Sequence, residues 1–215
     1  LMNTTFVRGK TNILIEGNVM LGTGDDLATA ISALPAGGVL LLGNGLSFSI
    51  VANFLINKSI KIRAINKLNL PTIYPAAGAS TTAPLFLIDP SLTAADSIVF
   101  QNVVLTGYII NVNIAPTMVT GVYDQGTSNA CNIGLLKFTG CNIQHFSRHL
   151  IRLRGTAVQI INNLLVDDCI LFDYGTNSTS YGIISSNSST GTINNINSMN
   201  STIYRFLYYL VLYTI

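Results

Sequence analysis

Three features of this 215-residue sequence predict an all-β solenoid, a single-stranded parallel β-helix. Four segments of the second half superimpose on one another. Within each, apolar residues alternate on either side of a residue type suited to a sharp corner. Ahead of them lies one short amphipathic helix, placed where the open first coil of a solenoid needs a cap.

The four segments are Asp96–Tyr108 (DSIVFQNVVLTGY), Gly134–Phe146 (GLLKFTGCNIQHF), Asn162–Tyr174 (NNLLVDDCILFDY) and Asn194–Phe206 (NNINSMNSTIYRF). Their register positions Leu105, Ile143, Leu171 and Ile203 are 38, 28 and 32 residues apart, and the last two segments share a literal "INN" at Ile161–Asn163 and Ile193–Asn195. Self-similarity with a variable loop is the mark of a solenoid, and strict alternation excludes the helical repeats of similar period.

The corner position is Asn102, Gly140, Asp168 and Asn200, all types that accept a left-handed backbone. Before it, Ile98 and Phe100, Leu136 and Phe138, Leu164 and Val166, and Ile196 and Ser198 are expected to point inward. After it, Val103 and Leu105, Cys141 and Ile143, Cys169 and Leu171, and Ser201 and Ile203 do the same. Three positions further on stands an aromatic in every segment: Tyr108, Phe146, Tyr174 and Phe206. Coils stacked at about 4.8 Å let such rings form a ladder inside the core.

The helix is read in "GDDLATAISALPAGGVLLL" (Gly24–Leu42). Asp25 or Asp26 is a good N-cap. Leu27, Ala30, Ile31 and Leu34 form one apolar stripe. Pro35 and Gly37–Gly38 end the helix, and the apolar run after them is expected to be a strand buried on both faces. "SIKIRA" (Ser59–Ala64) and "LFLID" (Leu85–Asp89) supply further early strands.

Bulk composition narrows the function. Apolar residues make up 49%, which excludes disorder, while no apolar run reaches the roughly 18–20 residues of a membrane-spanning helix. A net charge of +2 without a Lys/Arg run argues against nucleic acid. Cys131, Cys141 and Cys169 form no CxxC pair and read as small buried apolar residues rather than zinc ligands or disulfides. Residues 1–17 read as a linker or the end of a preceding domain, and residues 18–215 as one β-helix domain, truncated at its C-terminus.

"DDLATAISALPAGGVLLLGNGLSF", "INKSIKIRA" and "LPTIYPAAG", with "GLLKFTGCNIQHFSRHLIRLRG" and "NNLLVDDCILFDYG" further on, resemble the pectate-lyase-like right-handed parallel β-helix superfamily. Within it the chain is most similar to β-helix proteins secreted by polysaccharide-harvesting gut bacteria, a branch with no settled reaction. The resemblance runs from about residue 18 onward. It implies a right-handed β-helix, an extracellular or cell-surface location, a monomer and a polysaccharide partner. Characterised pectate lyases hold calcium in an acidic cluster and use Lys or Arg as base. Here there are nine Asp and Glu in all, and the adjacent Asp167 and Asp168 point to opposite faces of a strand, so neither calcium nor another cofactor is expected.

The most polar constellation is His145–Gly155, "HFSRHLIRLRG". If Ile151 and Leu153 point inward, Arg152 and Arg154 stand about 7 Å apart on one exposed face. Such a pair grips carboxylates or sulfates, so both are candidate contacts for an acidic glycan; the alternative is a solvated strand face. His145 aligns with Asp173 of the next coil, which would fix its tautomer, so His145, Arg152 and Asp173 are the candidate catalytic set. Phe172 and Tyr204 share an outward position in adjacent coils and are candidate sugar-stacking residues, unless another segment covers them. The expected function is binding of an acidic plant or host glycan. The alternatives are a lyase or hydrolase acting on pectin-like glycan, and a structural spacer.

Overall fold

The computed structural model describes residues 13–15, 18–108, 121–125, 129–154, 156–174, 184–186, 190–206 and 211–212. Nearly all of it is parallel β-sheet. The first sheet runs, neighbour to neighbour, through Ile13–Ile15, Asn18–Leu21, Gly38–Leu42, Ile60–Ala64, Ser97–Gln101, Cys131–Thr139, Gln159–Asp167 and Gly191–Met199. The second runs through Ser47–Ile50, Thr72–Pro75, Val104–Thr106, Asn142–Phe146, Ile170–Tyr174 and Thr202–Phe206. The third runs through Phe54–Ile56, Phe86–Ile88, Gly121–Gln125, His149–Leu153, Ile184–Ser186 and Val211–Leu212. Ile13–Ile15 meets its neighbour antiparallel, and the pairings within all three sheets from Asn18 onward are parallel. From Gly38 on, each pass of the chain visits the first, second and third sheets in that order and returns to the first. None of the three sheets closes into a barrel.

The register is the one the repeat predicts. Ile98 pairs with Leu136, Leu136 with Leu164, and Leu164 with Ile196. Leu105 pairs with Ile143, Leu171 and Ile203 in succession. The corner between the first and second sheets is left-handed in every pass that carries the motif: φ is 55° at Asn102, 62° at Gly140, 53° at Asp168 and 49° at Asn200. A side chain there costs about 1–2 kcal/mol unless it is Asn, Asp or Gly. At Gly140 the restriction is also steric, because a Cβ would run into the Asn102 side chain.

The inward residues form one continuous apolar core. Ile98, Phe100, Val103, Leu105, Leu136, Phe138, Cys141, Ile143, Leu164, Val166, Cys169 and Leu171 are all buried in it. Phe100 and Phe138 stack at 5.5 Å with planes 7° apart, and Phe86 leans on Phe100 at 5.2 Å. The inward positions of the last segment differ. Ile196 is 41% exposed and Ile203 40%, because no described strand of the first or second sheet lies beyond Gly191–Met199 and Thr202–Phe206.

The helix spans Leu27–Ala33. Asp26 is its N-cap and accepts the Thr29 N–H at 2.6 Å, while Asp25 accepts the Gly22 N–H instead. Leu27, Ala30, Ile31 and Leu34 are buried, as the stripe requires, and the helix packs beside Asn18–Leu21 and Ser47–Ile50. Lys58 donates to the carbonyls of Ser32 and Leu34, satisfying the helix C-terminus and complementing its dipole. The strand that follows is buried on one face only. Leu40 and Leu42 are in the core, whereas Val39 and Leu41 are half-buried on the outer face. An unbroken apolar run had suggested burial on both faces.

Candidate functional site

The second sheet carries a column of rings on its outer face. Tyr108 meets His145 at 4.1 Å, His145 meets the edge of Phe172 at 5.4 Å, and Phe172 stacks on Tyr204 at 5.2 Å with planes 4° apart. Phe172 and Tyr204 are opposed by register, so the shared outward position expected from the repeat is present. Tyr204 is 43% exposed; Phe172, His145 and Tyr108 are half-buried.

His145 joins this column through a local kink. Its φ is 59°, a conformation the flanking strand residues do not share. The kink resets the alternation, so Ile143 and Phe146 both reach the core while the imidazole turns outward. Gly107, just past the neighbouring strand Val104–Thr106, permits this, because a Cβ there would collide with the His145 carbonyl. The imidazole Nδ1 lies 3.5 Å from the Thr106 hydroxyl.

One sequence expectation changes here. Tyr108 occupies the core-ladder position in sequence, yet it is half-buried and packs on the His145 ring. Phe146 does enter the core; the side chains of Tyr174 and Phe206 lie outside the described residues. Register places Asp173 beside His145, between the pairs Gln144–Phe172 and Phe146–Tyr174. The Asp173 side chain lies outside the described residues.

The arginines sit elsewhere, on the third sheet. Ile151 and Leu153 point inward as expected, but Arg152 is only 5% exposed and its outward neighbour Leu150 is fully buried. The expected open arginine face is therefore corrected. Alternation decides which side of a sheet a residue takes, and this side of the strand is covered. Arg152 pairs by register with Asp124 and Ser185. Arg154 lies just beyond the strand, half-buried. The catalytic set is thus divided between two sheets, with His145 on one and Arg152 on the other.

Two polar devices escaped the sequence reading. Gln159 is fully buried and closes the connection after the third sheet. Its Oε1 accepts the Arg154 N–H at 2.7 Å, and its Nε2 donates to the carbonyls of Arg154 at 2.8 Å and Asn129 at 2.9 Å. The repeated "INN" forms a double asparagine ladder. Asn194 donates to Asn162 at 2.9 Å, Asn162 donates to Asn132 at 3.1 Å, and Asn195 donates to Asn163 at 3.2 Å.

The three cysteines are buried and free. Burial pushes the Cys131 and Cys141 thiols up, and Cys141 donates to the Phe100 and Thr139 carbonyls. Among the described residues no group of three His, Cys, Asp or Glu is placed to hold a metal ion. None of the described helices is long and apolar enough to cross a membrane. Comparison of the chain with family models, with curated proteins and with solved structures finds no match in any of the three.

Proposed function

We propose that the chain is a right-handed, single-stranded parallel β-helix of the pectate-lyase-like class, and that it is an extracellular or surface protein that holds polysaccharide on its outer face. The repeated visit to three parallel sheets supports the winding, and the strong right-handedness of parallel crossovers supports its hand. The helix Leu27–Ala33 acts as the N-terminal cap, covering apolar surface that the first pass would otherwise leave open.

The observation that carries the binding reading is the ring column Tyr108, His145, Phe172 and Tyr204. It crosses four adjacent strands, a span of about 14 Å at the usual strand spacing. Phe172 and Tyr204 stack across strands and so turn their edges outward. Ring edges are electropositive and suit the oxygens of a sugar chain, while the Tyr hydroxyls add polar contacts.

Affinity gel electrophoresis of the full chain through neutral and acidic polysaccharides tests this. Retardation that Phe172→Ala and Tyr204→Ala weaken, with the fold intact by circular dichroism, is the expected result. Equal retardation of all variants, or none of the wild type, overturns it. A lyase or hydrolase reading has its own observation, a buried Arg152 on the third sheet whose strand position pairs by register with Asp124 and Ser185. Release of unsaturated or reducing sugar ends, lost in Arg152→Lys, would establish it.

A further inference from the structure

The outer face of the first sheet carries a second feature. Lys61 and Arg63 lie on one strand, two residues apart, and Lys137 lies two strands away, on the far side of Val99 from Lys61. Strand geometry sets these separations at about 7 Å along the strand and roughly 9.6 Å across the sheet. All three are half-buried and share one face, alternating with the inward Ile62, Leu136 and Phe138. Among the described residues none of the three has a hydrogen-bond or ion-pair partner. Gln101 and Thr139 continue the next column beside Arg63, and the outward Asp167, diagonal to Lys137 by register, is engaged by Asn200. Lys61 is held below the ordinary lysine range, first by burial and then by the charges of Arg63 and Lys137.

Three like charges on one half-buried face, without a bonded counterion among the described residues, are unfavourable for the isolated fold and favourable for an anion laid across them. The cations are interleaved with Val39, Leu41, Val99 and Leu165, so the face is apolar between its charges. We propose that Lys61, Arg63 and Lys137 form a docking strip for a linear polysaccharide bearing carboxylates or sulfates. A flat sheet face suits an extended chain, whose charged groups meet the cations while its ring C–H surfaces lie on the aliphatic side chains. An anionic membrane is the weaker fit, because electrostatic lipid anchoring uses clusters of about 4–8 basic residues. This inference rests on the polysaccharide reading above and gives it a second surface, distinct from the ring column.

The test uses the full chain and four probes: polygalacturonate, dextran sulfate, neutral dextran, and vesicles containing phosphatidylserine. Binding is measured as a function of salt. The expected result is binding of at least one acidic polysaccharide, weakening with salt, and at least tenfold weaker in Lys61→Gln/Arg63→Gln/Lys137→Gln. The double variant Lys67→Gln/Arg148→Gln, which removes charge elsewhere, retains affinity within about threefold. Thermal melting of every variant confirms that the fold is kept. The strip is overturned if the triple variant binds as tightly as wild type, if both charge-removal sets weaken binding equally, or if only vesicles are bound. Binding that survives the triple variant but is lost in Tyr204→Ala refutes the strip and leaves the ring column standing. No binding of any polysaccharide by wild type refutes both.

Discussion

Asp168 offers a sharp test of the corner mechanism. Its φ is 53°, its N–H donates to the Met199 carbonyl, and its exposed side chain makes no hydrogen bond or ion pair among the described residues. Its role is therefore backbone conformation rather than contact. Asn accepts the same left-handed geometry, so Asp168→Asn is expected to leave stability within about 0.5 kcal/mol. Val cannot: its branched Cβ meets the following carbonyl, and the left-handed penalty of about 1–2 kcal/mol applies in full. With a urea slope of about 2 kcal/mol/M, that penalty lowers the unfolding midpoint by roughly 0.5–1 M. The matched control is Asp167→Val, one residue earlier in regular strand conformation, where Val suits the sheet and the main loss is the contact from Asn200. Far-UV circular dichroism in urea reads the midpoints, with an independent probe checking that the transition is two-state. If Asp168→Val unfolds at the same midpoint as Asp168→Asn, or if Val is equally costly at 167 and 168, the argument from a left-handed corner is wrong.

Three further outcomes are expected. Phe138→Ala removes a fully buried ring stacked on Phe100, beside an existing apolar void of about 10 Å³, and should destabilise by about 3–5 kcal/mol in urea melts; a loss below roughly 1 kcal/mol would mean the ring is not in the core. Gln159→Leu strips partners from the Arg154 N–H and from two carbonyls, at about 1–3 kcal/mol, and hydrogen exchange at Arg154 should accelerate; unchanged exchange would count against the clamp. Asp26 is held below the usual carboxylate range by its hydrogen bonds from Thr29, and Asp96 by those from Ser59 and Thr93. Their folded values lie below the unfolded ones, so their stabilisation is complete above the unfolded value near about 4 and lost as pH falls through the folded values. Asp26→Asn/Asp96→Asn should flatten the acid limb of Tm against pH, and an identical acid limb would refute the assignment.

The repeat was legible because a one-residue corner restricts residue type and strand alternation restricts polarity. Those two constraints place Asn102, Gly140, Asp168 and Asn200 in register without any knowledge of the rest of the chain. The helix was legible for a similar local reason, an apolar stripe with a carboxylate cap. The site was less so. Whether Arg152 meets solvent depends on what covers the third sheet, which no periodicity records. Tyr108 left the expected ring ladder because His145, in the neighbouring strand, kinks outward and offers its own ring. The asparagine ladder was visible as a literal "INN", but its hydrogen bonds run between residues about 30 positions apart. The Lys61, Arg63 and Lys137 cluster exists only once the register is known.

The constant length of the corner in the last four passes has a consequence for how such a chain tolerates change. Two residues separate the strands of the first and second sheets at Gln101–Val104, Thr139–Asn142, Asp167–Ile170 and Met199–Thr202 alike. The span between the second and third sheets instead runs from Thr106 to Gly121 in one pass and from Phe146 to His149 in the next. In these four passes length differences are thus accommodated away from the corner, where they lengthen a loop and leave the pairings intact; the first two passes, which lack the motif, join the same two sheets through residues 43–46 and 65–71. A single residue added at the corner would turn each following side chain of that strand to the opposite face. Among passes that carry the motif, variation between related chains should therefore concentrate outside the corner, leaving the two-residue corner uniform in length.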